Sequence, residues 1–330
     1  MSLEFLQDKS ILVTGGTGSF GQRFIRTLLR SSAARRIIIF SRDELKQSQM
    51  QTAFAEHADR LRFFVGDVRD ATRLARAFRG VDYVVHAAAL KHVPILEYNP
   101  FEAVQTNIIG SQNVINAAID AGVQKVLLVS TDKAANPANL YGATKLCAER
   151  LFVSGNVYAN GQTLFSAVRY GNVLGSRGSL VSIIEEQRKT GAITLTHEEM
   201  TRFWITLDQG VALVLSALTQ MHGGEIFIPK IPSMSVKHLV TALAPECVIN
   251  VVGIRPGEKL HEMLITPEEA RRTKEFETHY VVLPDTPSAM LNERYASAPS
   301  VVGLVSYTSN GNSQWLDEQG LRDLLRSLSD

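Results

Sequence analysis

The chain of 330 residues is poor in cysteine, with only Cys147 and Cys247, which lie far apart in the sequence. Two isolated thiols favour a reducing compartment over a disulfide framework, so we expect a cytoplasmic protein. The N-terminal residues, Met-Ser-Leu-Glu-Phe-Leu-Gln-Asp-Lys, lack the basic segment and apolar run of a signal peptide. These features argue against a secreted, disulfide-stabilised protein.

The sequence also lacks an excess of charge of either sign and a long apolar run. Its formal net charge is +1 with 20% charged residues, which gives no electrostatic reason to expect nucleic acid or an anionic membrane as partner. The charge-free stretch 151–168 is interrupted by Gly155 and Asn160, so it is not expected to span a bilayer. No metal-ligand spacing surrounds His86 or His92, and we predict no metal site.

Short apolar runs alternate with helical patterns through the first half of the chain. The predicted strands lie near 11–15, 36–40, 61–66, 82–86, 125–130 and 163–168. This alternation is typical of an α/β fold, a Rossmann-type doubly wound parallel sheet covered on both faces. We predict a dinucleotide-binding domain over 1–171, to which the chain returns around 205–228, and a smaller C-terminal substrate domain over 172–330.

A glycine-rich turn follows the first predicted strand. Residues 15–21 read Gly-Gly-Thr-Gly-Ser-Phe-Gly, and an apolar-periodic helix comes next. Glycines at this spacing let the backbone turn tightly and approach a pyrophosphate, which rests on the helix N-terminus. The predicted dinucleotide contacts here are Gly15, Thr17, Gly18, Ser19, Phe20 and Gly21.

The end of the second strand indicates which dinucleotide is bound. Ser41 and Arg42 suit a 2′-phosphate, and Lys46 lies one helical turn further on. Asp43 and Glu44 are the counter-argument, although acidic residues also suit the first turn of a helix. We therefore predict NADP. Later strand ends add Asp67 and Val68 on the adenine side and the small residues Ala87 and Ala88, where a cofactor passes close to backbone.

The most informative segment is Ser-Thr-Asp-Lys at 130–133, followed by Tyr141 and Lys145. Tyr-x-x-x-Lys on a helix places the phenol and the ammonium one turn apart on one face, which suits formation of a phenolate. Asp132 and Lys133 supply more proton-transfer groups than alcohol oxidation needs. A surface ion pair is the alternative interpretation of Asp132 and Lys133.

These motifs carry a family resemblance. The glycine turn with Tyr141 and Lys145 resembles the extended short-chain dehydrogenase/reductase superfamily, which acts on nucleotide sugars. The longer string 130–145 is similar to that of the inverting UDP-N-acetylglucosamine 4,6-dehydratases, especially those of the pseudaminic-acid pathway. Further matching segments are 41–46, 91–94, 200–204 and 255–259.

The resemblance implies a lyase whose NADP stays bound and is regenerated in each reaction cycle. Tyr141 takes the 4-hydroxyl proton, Thr131 hydrogen-bonds the 4-oxygen, Lys133 is the C5 base and Asp132 the acid for the departing 6-hydroxyl. We expect Lys145 to lower the pKa of Tyr141, and nearby cations to keep Lys133 neutral. Further implied contacts are Val173 on the cofactor side and, for UDP-N-acetylglucosamine, Lys91, Lys133, Asn172, Arg177, Thr194, Arg202, Arg255 and Glu258.

Several alternatives stay open. Lys91 contacts phosphate or ribose, or is a solvated loop charge, and Arg177, Arg202, Arg255 and Glu258 also have a solvated interpretation. An NADP-dependent sugar epimerase of the same fold competes with the lyase, although C4 epimerisation needs no C5 base. A non-catalytic NADP-binding regulator is disfavoured by the intact Tyr141 and Lys145. The resemblance also implies a homo-oligomer, either a dimer or a hexamer.

Overall fold

The computed structural model describes residues 3–176, 178–301 and 303–326, with apolar strands at its centre. The strands are β1 (Ser10–Thr14), β2 (Arg36–Ser41), β3 (Leu61–Val65), β4 (Tyr83–His86), β5 (Lys125–Val129), β6 (Leu164–Val168), β7 (Asn172–Val173), β8 (Ala192–Leu195), β9 (Thr201–Ile205), β10 (Ile226–Pro229), β11 (Ser233–Ser235), β12 (Val248–Val251), β13 (Met263–Ile265), β14 (Thr273–Glu275), β15 (His279–Val282) and β16 (Tyr307–Thr308).

Helices separate most of these strands. They are α1 (Ser19–Ser31), α2 (Glu44–Ala53), α3 (Ala71–Ala77), α4 (Val93–Tyr98), α5 (Pro100–Ala103), α6 (Gly110–Asp120), α7 (Leu140–Ala159), α8 (Leu180–Arg188), α9 (Leu207–Gln220), α10 (Val236–Leu243), α11 (Pro267–Ala270), α12 (Ala289–Arg294) and α13 (Glu318–Arg326). A π-helical segment (Val104–Ile109) precedes α6, and a short 3-10 helix (Asp132–Ala134) follows β5.

The largest sheet has nine strands in the order β14-β15-β10-β6-β5-β4-β1-β2-β3. From β3 to β10 every neighbouring pair is parallel, which confirms the predicted Rossmann-type sheet and its six predicted strands. The antiparallel strands β14 and β15 were not predicted. They are short and lie among turn residues, so no sustained apolar run marks them.

Burial explains why the parallel strands read as continuous apolar runs. Ile11, Leu12 and Val13 of β1 are fully buried, as are Leu127 and Leu128 of β5. Helix α1 packs against α9, whereas α6 packs against both α3 and α7. Two layers of helices thus enclose the sheet, as parallel strands require.

Smaller sheets form in the second half of the chain. They have the strand orders β11-β9-β7, β12-β8 and β13-β16. Trp204, Leu174, Ile184 and Leu239 belong to a separate apolar cluster there. Strand β10 nevertheless lies beside β6 in the large sheet, and the domain division at 171/172 stays a prediction.

A buried ionic network ties these parts of the chain together. Arg169, which follows β6, donates to Glu149 of α7 at 2.6 Å and to Glu269 of α11 at 2.8 Å. Its guanidinium also donates to the carbonyl oxygen of Leu264 at 2.8 Å. Burial alone would lower the pKa of Arg169, but the two carboxylates outweigh it and leave that pKa above its ordinary value.

We expect Arg169→Met to lower the free energy of unfolding by about 3–5 kcal/mol, because two buried carboxylates lose their shared partner. Urea unfolding followed by circular dichroism measures this loss. The matched control is Arg150→Met, which removes the exposed ion pair with Asp285 and should cost at most about 1 kcal/mol. Equal losses in the two variants would contradict the expectation.

Among residues 3–176, 178–301 and 303–326, no helix is both long enough and apolar enough to cross a membrane. Within the same ranges, no group of three His, Cys, Asp or Glu side chains is arranged to hold a metal ion.

Candidate active site

A cavity of about 700 Å³ opens at the carboxyl ends of the parallel strands. This edge is where ligands bind in open α/β sheets. Nearly all of the predicted site residues line it: Gly15, Thr17, Gly18, Ser19, Phe20, Gly21, Ser41, Arg42, Lys46, Asp67, Val68, Ala87, Ala88, Lys91, Thr131, Asp132, Lys133, Tyr141, Lys145, Asn172 and Val173. The fold therefore brings together segments that are up to about half the chain apart in sequence.

The glycine turn after β1 packs closely against the backbone that follows β4 at the edge of this cavity. Gly15 has φ of 67° and donates to the carbonyl oxygen of Phe40 at 2.8 Å. A Cβ on Gly15 would lie 2.8 Å from the amide nitrogen of Ala88, so a side chain would not fit. Gly18 is the N-cap of α1 and has no side chain to fill the space at the helix N-terminus. The turn thus fits the pyrophosphate of a dinucleotide.

Polar groups surround the end of β2. The hydroxyl of Ser41 lies 2.6 Å from that of Thr17. Arg42 is half exposed and lies 3.4 Å from the carboxylate of Asp67. Asp43 accepts from the backbone nitrogen of Lys46 as the N-cap of α2, and also pairs with that side chain. Asp43 is therefore engaged as a cap, which fits the helix interpretation of the acidic residues here.

Helix α7 carries Tyr141 and Lys145 in its first two turns. Asn139 caps this helix by accepting from the backbone nitrogen of Gly142 at 2.8 Å. The Lys145 ammonium is buried and donates to the carbonyl oxygen of Val129 at 2.8 Å. Burial lowers the pKa of Lys145 to about 8.

The pKa of Tyr141 is raised in the structure, whereas from the sequence we expected it to be lowered. Burial raises the pKa of Tyr141 to about 12, and the cation that acts against this increase is Lys133. A hydrogen bond with Thr131 acts in the same direction as Lys133. The expectation that Lys145 lowers this pKa is wrong for the described structure, because the Lys145 ammonium is directed at a backbone carbonyl.

Lys133 lies between two carboxylates. Its ammonium is 3.1 Å from Oδ1 of Asp132 and 3.0 Å from Oε1 of Glu262. Burial lowers the pKa of Lys133, but these two carboxylates outweigh it and hold that pKa above its ordinary value. The expectation that nearby cations keep Lys133 neutral is therefore wrong, since its nearest charged neighbours are anions.

The two carboxylates differ from each other. Asp132 is fully buried, and burial raises the pKa of its carboxyl group above the ordinary value. Burial would also raise the pKa of Glu262, but Lys133, Arg202 and Lys259 outweigh it and hold that pKa at about 2. The site thus contains one carboxyl group suited to carry a proton and one suited to stay ionised.

The backbone couples these groups to Tyr141. A Cβ on Gly142 would collide with the carbonyl oxygen of Lys133, so α7 begins directly against the short helix Asp132–Ala134. The backbone nitrogen of Asp132 also donates to the carbonyl oxygen of Tyr170 at 3.0 Å. One cavity is therefore lined by Tyr141 and Lys145 and by Asp132 and Lys133, on segments that pack against each other.

Comparison with known proteins assigns the chain to a family. Residues 11–284 match the model of the family described as polysaccharide biosynthesis protein. The chain belongs to this family. A relative from Campylobacter jejuni (strain 81-176), named UDP-N-acetylglucosamine 4,6-dehydratase (inverting), is 49% identical, and the match covers 96% of this chain and 97% of the relative. A Rickettsia conorii relative named UDP-glucose 4-epimerase is 37% identical over 97% of this chain and 96% of its own length.

Solved structures show the same fold. Pen from Bacillus thuringiensis superposes with a TM-score of 0.90 at 37% identity, covering 98% of this chain and 99% of that one. A Streptomyces venezuelae dTDP-glucose 4,6-dehydratase, DesIV, solved with NAD bound, gives a TM-score of 0.66 at 25% identity over 76% and 86% of the two chains. The polysaccharide biosynthesis family thus shares the extended short-chain dehydrogenase/reductase fold that the motifs indicated.

Some predicted substrate residues of this family member lie away from the cavity. Arg202 is buried, and its guanidinium donates to the carbonyl oxygens of Thr201, Lys259 and Leu260. Arg202 is therefore not solvated, and it does not line the cavity. Its contact with substrate stays a prediction.

Arg255, Glu258 and Thr194 belong to segments near the surface. Within one loop, the backbone nitrogen of Arg255 donates to the Glu258 carboxylate, and the backbone nitrogen of Glu258 donates to the carbonyl oxygen of Arg255. Thr194 is exposed on β8, where its backbone nitrogen donates to Gln187 at 2.9 Å. Arg177 lies outside the described residues.

Sequence reasoning missed Glu262 and Lys259. Lys259 donates to the carbonyl oxygen of Ala135 at 2.8 Å. Glu262, which does not line the cavity, forms an ion pair with Lys133. Both lie more than a hundred positions from Lys133 in a turn-rich stretch without periodicity. The available signal was the matching segment 255–259, which indicated a functional loop but not the glutamate that follows it.

Proposed function

We propose that this chain is an NADP-dependent lyase, an inverting UDP-N-acetylglucosamine 4,6-dehydratase. The observation that carries the proposal is that Tyr141, Asp132 and Lys133 line one cavity, with Lys133 close enough to act on the pKa of Tyr141. The 49% identity to the Campylobacter jejuni relative of that name supports the substrate. A site for oxidation alone would have no use for the Asp132–Lys133 pair.

The cofactor in this proposal is held by the glycine turn and the end of β2. When bound there, NADP⁺ would supply reversible hydride transfer, from C4 of the sugar in the oxidation and back to C6 at the end. The N-terminus of α1 would receive the pyrophosphate, and Ser41, Arg42 and Lys46 would receive the 2′-phosphate. DesIV is described with NAD, so the preference for NADP rests on these side chains.

The protein residues divide the reaction into oxidation and elimination. Tyr141 acts as the phenolate, a form that Lys133 and Thr131 favour against burial and that the positive charge of a bound nicotinamide would favour further. It takes the proton of the 4-hydroxyl, and Thr131 orients the 4-oxygen. With a ketone at C4, the C5 proton becomes acidic enough for an amine to remove. After water has left, C5 receives a solvent-derived proton on the face opposite to the one that was deprotonated, which inverts that centre.

Proton balance in the elimination step follows from the resting charges. Lys133 is an ammonium at rest, so it first passes a proton to Asp132, whose Oδ1 lies 3.1 Å away. Oδ2 of Asp132 is buried and has no hydrogen-bond partner among the described residues. The neutral amine then takes the C5 proton while Asp132 protonates the departing 6-hydroxyl. The pair ends as ammonium and carboxylate, as it began.

The decisive experiment is incubation with UDP-N-acetylglucosamine in deuterated water without added cofactor. Dehydration gives a 4-keto-6-deoxy product with deuterium at C5 and no net NADPH, which mass spectrometry and NMR detect. The second candidate, a C4 epimerase, is favoured by the name of the Rickettsia conorii relative. It would give a product of unchanged mass, and that result would overturn the lyase proposal.

We expect Arg42→Ala to weaken NADP binding by about 10- to 100-fold, because a charged hydrogen bond to the 2′-phosphate is lost. NAD binding should change little. Titration calorimetry on cofactor-stripped protein measures both affinities, with Arg36→Ala at the exposed start of β2 as the control. Equal weakening for NADP and NAD would contradict the assignment.

The proposal extends to assembly, pathway and location. The apolar side chains of Tyr98 and Phe101 are 87% and 66% exposed on α4 and α5, which supports a homo-oligomer, a dimer or a hexamer. The free thiols Cys147 and Cys247 fit a cytoplasmic setting. We place the reaction at the first step of pseudaminic acid biosynthesis, which serves flagellin glycosylation.

A further inference from the structure

Behind Lys133, on the side away from the cavity, lies a cluster of buried charges. Glu262 is its centre, 3.0 Å from the ammonium of Lys133, 3.6 Å from that of Lys259 and 3.9 Å from the guanidinium of Arg202. The Glu262 side chain is only 3% exposed and does not line the cavity. It therefore acts on the cavity through its contact with Lys133 and through its charge, which also raises the pKa of Asp132.

Backbone contacts hold Glu262 firmly in this place. Its backbone nitrogen donates to the hydroxyl of Ser309 at 2.9 Å, and its carbonyl oxygen accepts from the Ser309 backbone nitrogen at 2.8 Å. Lys259, which approaches the same carboxylate, is tied to the carbonyl oxygen of Ala135, just beyond the short helix of Lys133. These contacts hold the Glu262 carboxylate in place, and its ion pair with Lys133 in turn positions the Lys133 side chain.

We propose that Glu262 is a positioning residue for the elimination step: it fixes the Lys133 nitrogen beside Asp132 and supplies the counter-charge for the ammonium. This inference rests on the proposed function. Asp132 has one oxygen for Lys133 and its other oxygen faces no protein partner among the described residues. With Glu262 carrying the charge of Lys133, Asp132 is available to accept the proton and hand it to the 6-hydroxyl.

The proposal separates oxidation from elimination. In the described part of the chain, Tyr141, Thr131 and Lys145 form no hydrogen bond or ion pair with Glu262, whereas Lys133 contacts it directly. Loss of Glu262 should therefore leave hydride transfer from C4 close to the wild-type rate. Elimination should fall by about 100-fold, because a displaced amine no longer reaches C5 in a reactive geometry.

The pH dependence gives a readout that a purely structural role would not move. The charged groups facing Glu262 are Lys133, Lys259 and Arg202, with Asp132 across from Lys133. Glu262 raises the pKa of both Asp132 and Lys133 through its charge. Removing that charge lowers both pKa values, so both limbs of the pH profile for elimination should move to lower pH.

The experiment compares Glu262→Gln, Glu262→Ala and Glu262→Asp in the NADP-loaded enzyme. Single-turnover absorbance of the reduced nicotinamide reports oxidation, and deuterium at C5 of the product reports elimination. We expect Glu262→Ala to keep oxidation and lose elimination about 100-fold. Glu262→Gln, which keeps an oxygen acceptor but not the charge, should retain more elimination and shift both limbs of its pH profile to lower pH.

Glu262→Asp keeps the charge but withdraws it from Lys133, so we expect slower elimination with a smaller pH shift than in Glu262→Gln. This variant decides the matter if the neutral variants do not fold, which thermal melting shows. Glu268→Gln, an exposed change in the first turn of α11, is the matched control. Parallel loss of oxidation and elimination, or an unchanged partition and pH profile, overturns the positioning role. Absence of dehydration by the wild-type enzyme would instead overturn the proposed function itself.

Discussion

Tyr141→Phe should lower the rate of C4 oxidation by about 10³-fold, because the residue that accepts the 4-hydroxyl proton loses its oxygen. The phenol lies where Lys133 and Thr131 both favour its ionised form against the effect of burial. Every later step depends on the ketone, so elimination and product formation should fall by the same factor. Stopped-flow absorbance of the reduced nicotinamide measures oxidation directly.

A matched control for this prediction is Tyr83→Phe. Tyr83 begins β4 at the opposite end of the sheet from the cavity, and its ring packs edge-on against Phe5. That variant should oxidise substrate at the wild-type rate. If Tyr141→Phe oxidises nearly as fast as Tyr83→Phe, another group takes the 4-hydroxyl proton and the assignment of Tyr141 is wrong.

Lys133→Ala should have a similarly large effect on a different step. We expect NADP to stay bound and C4 oxidation to proceed more slowly, because Tyr141 loses the cation that favours its phenolate. Reduced nicotinamide should still accumulate with a 4-keto sugar that keeps its 6-hydroxyl. Elimination and deuterium incorporation at C5 should fall by about 10³-fold or more, since the amine that removes the C5 proton is gone. Rapid quench with mass spectrometry detects the trapped ketone.

The control for Lys133→Ala is Lys125→Met, four positions before the end of β5. Its ammonium donates to the carbonyl oxygens of Leu218 and Thr219, far from the cavity mouth. That variant should dehydrate normally. Normal turnover by Lys133→Ala would show that a different base acts on C5, and would leave the oxidation half of the proposal intact.

Local patterns in the sequence were sufficient to predict the parallel sheet and the glycine turn at its edge. The runs that became β1 and β5 are buried on both faces, so their apolar character is continuous and easily read. The glycine turn is equally readable, because Gly15 must adopt positive φ against Ala88. These constraints act within a few residues of the motif that records them.

The electrostatics of the proton-transfer pair could not be predicted in the same way. The charge state of Lys133 depends on Glu262, which reaches it from a loop far along the chain. Likewise the guanidinium of Arg202 donates to backbone carbonyl oxygens of the 259–260 segment. Local sequence carries residue type but not which distant charge a buried side chain will meet.

The contact of Gly142 with the carbonyl oxygen of Lys133 has a consequence for how such enzymes diverge. The main chain around Tyr141 and the main chain around Lys133 pack directly against each other. A new functional group at position 133 would therefore inherit an unchanged placement relative to the ketone-forming apparatus. On the proposed function, we therefore expect a single substitution at position 133 to change the group that acts on C5 while Tyr141 keeps its position.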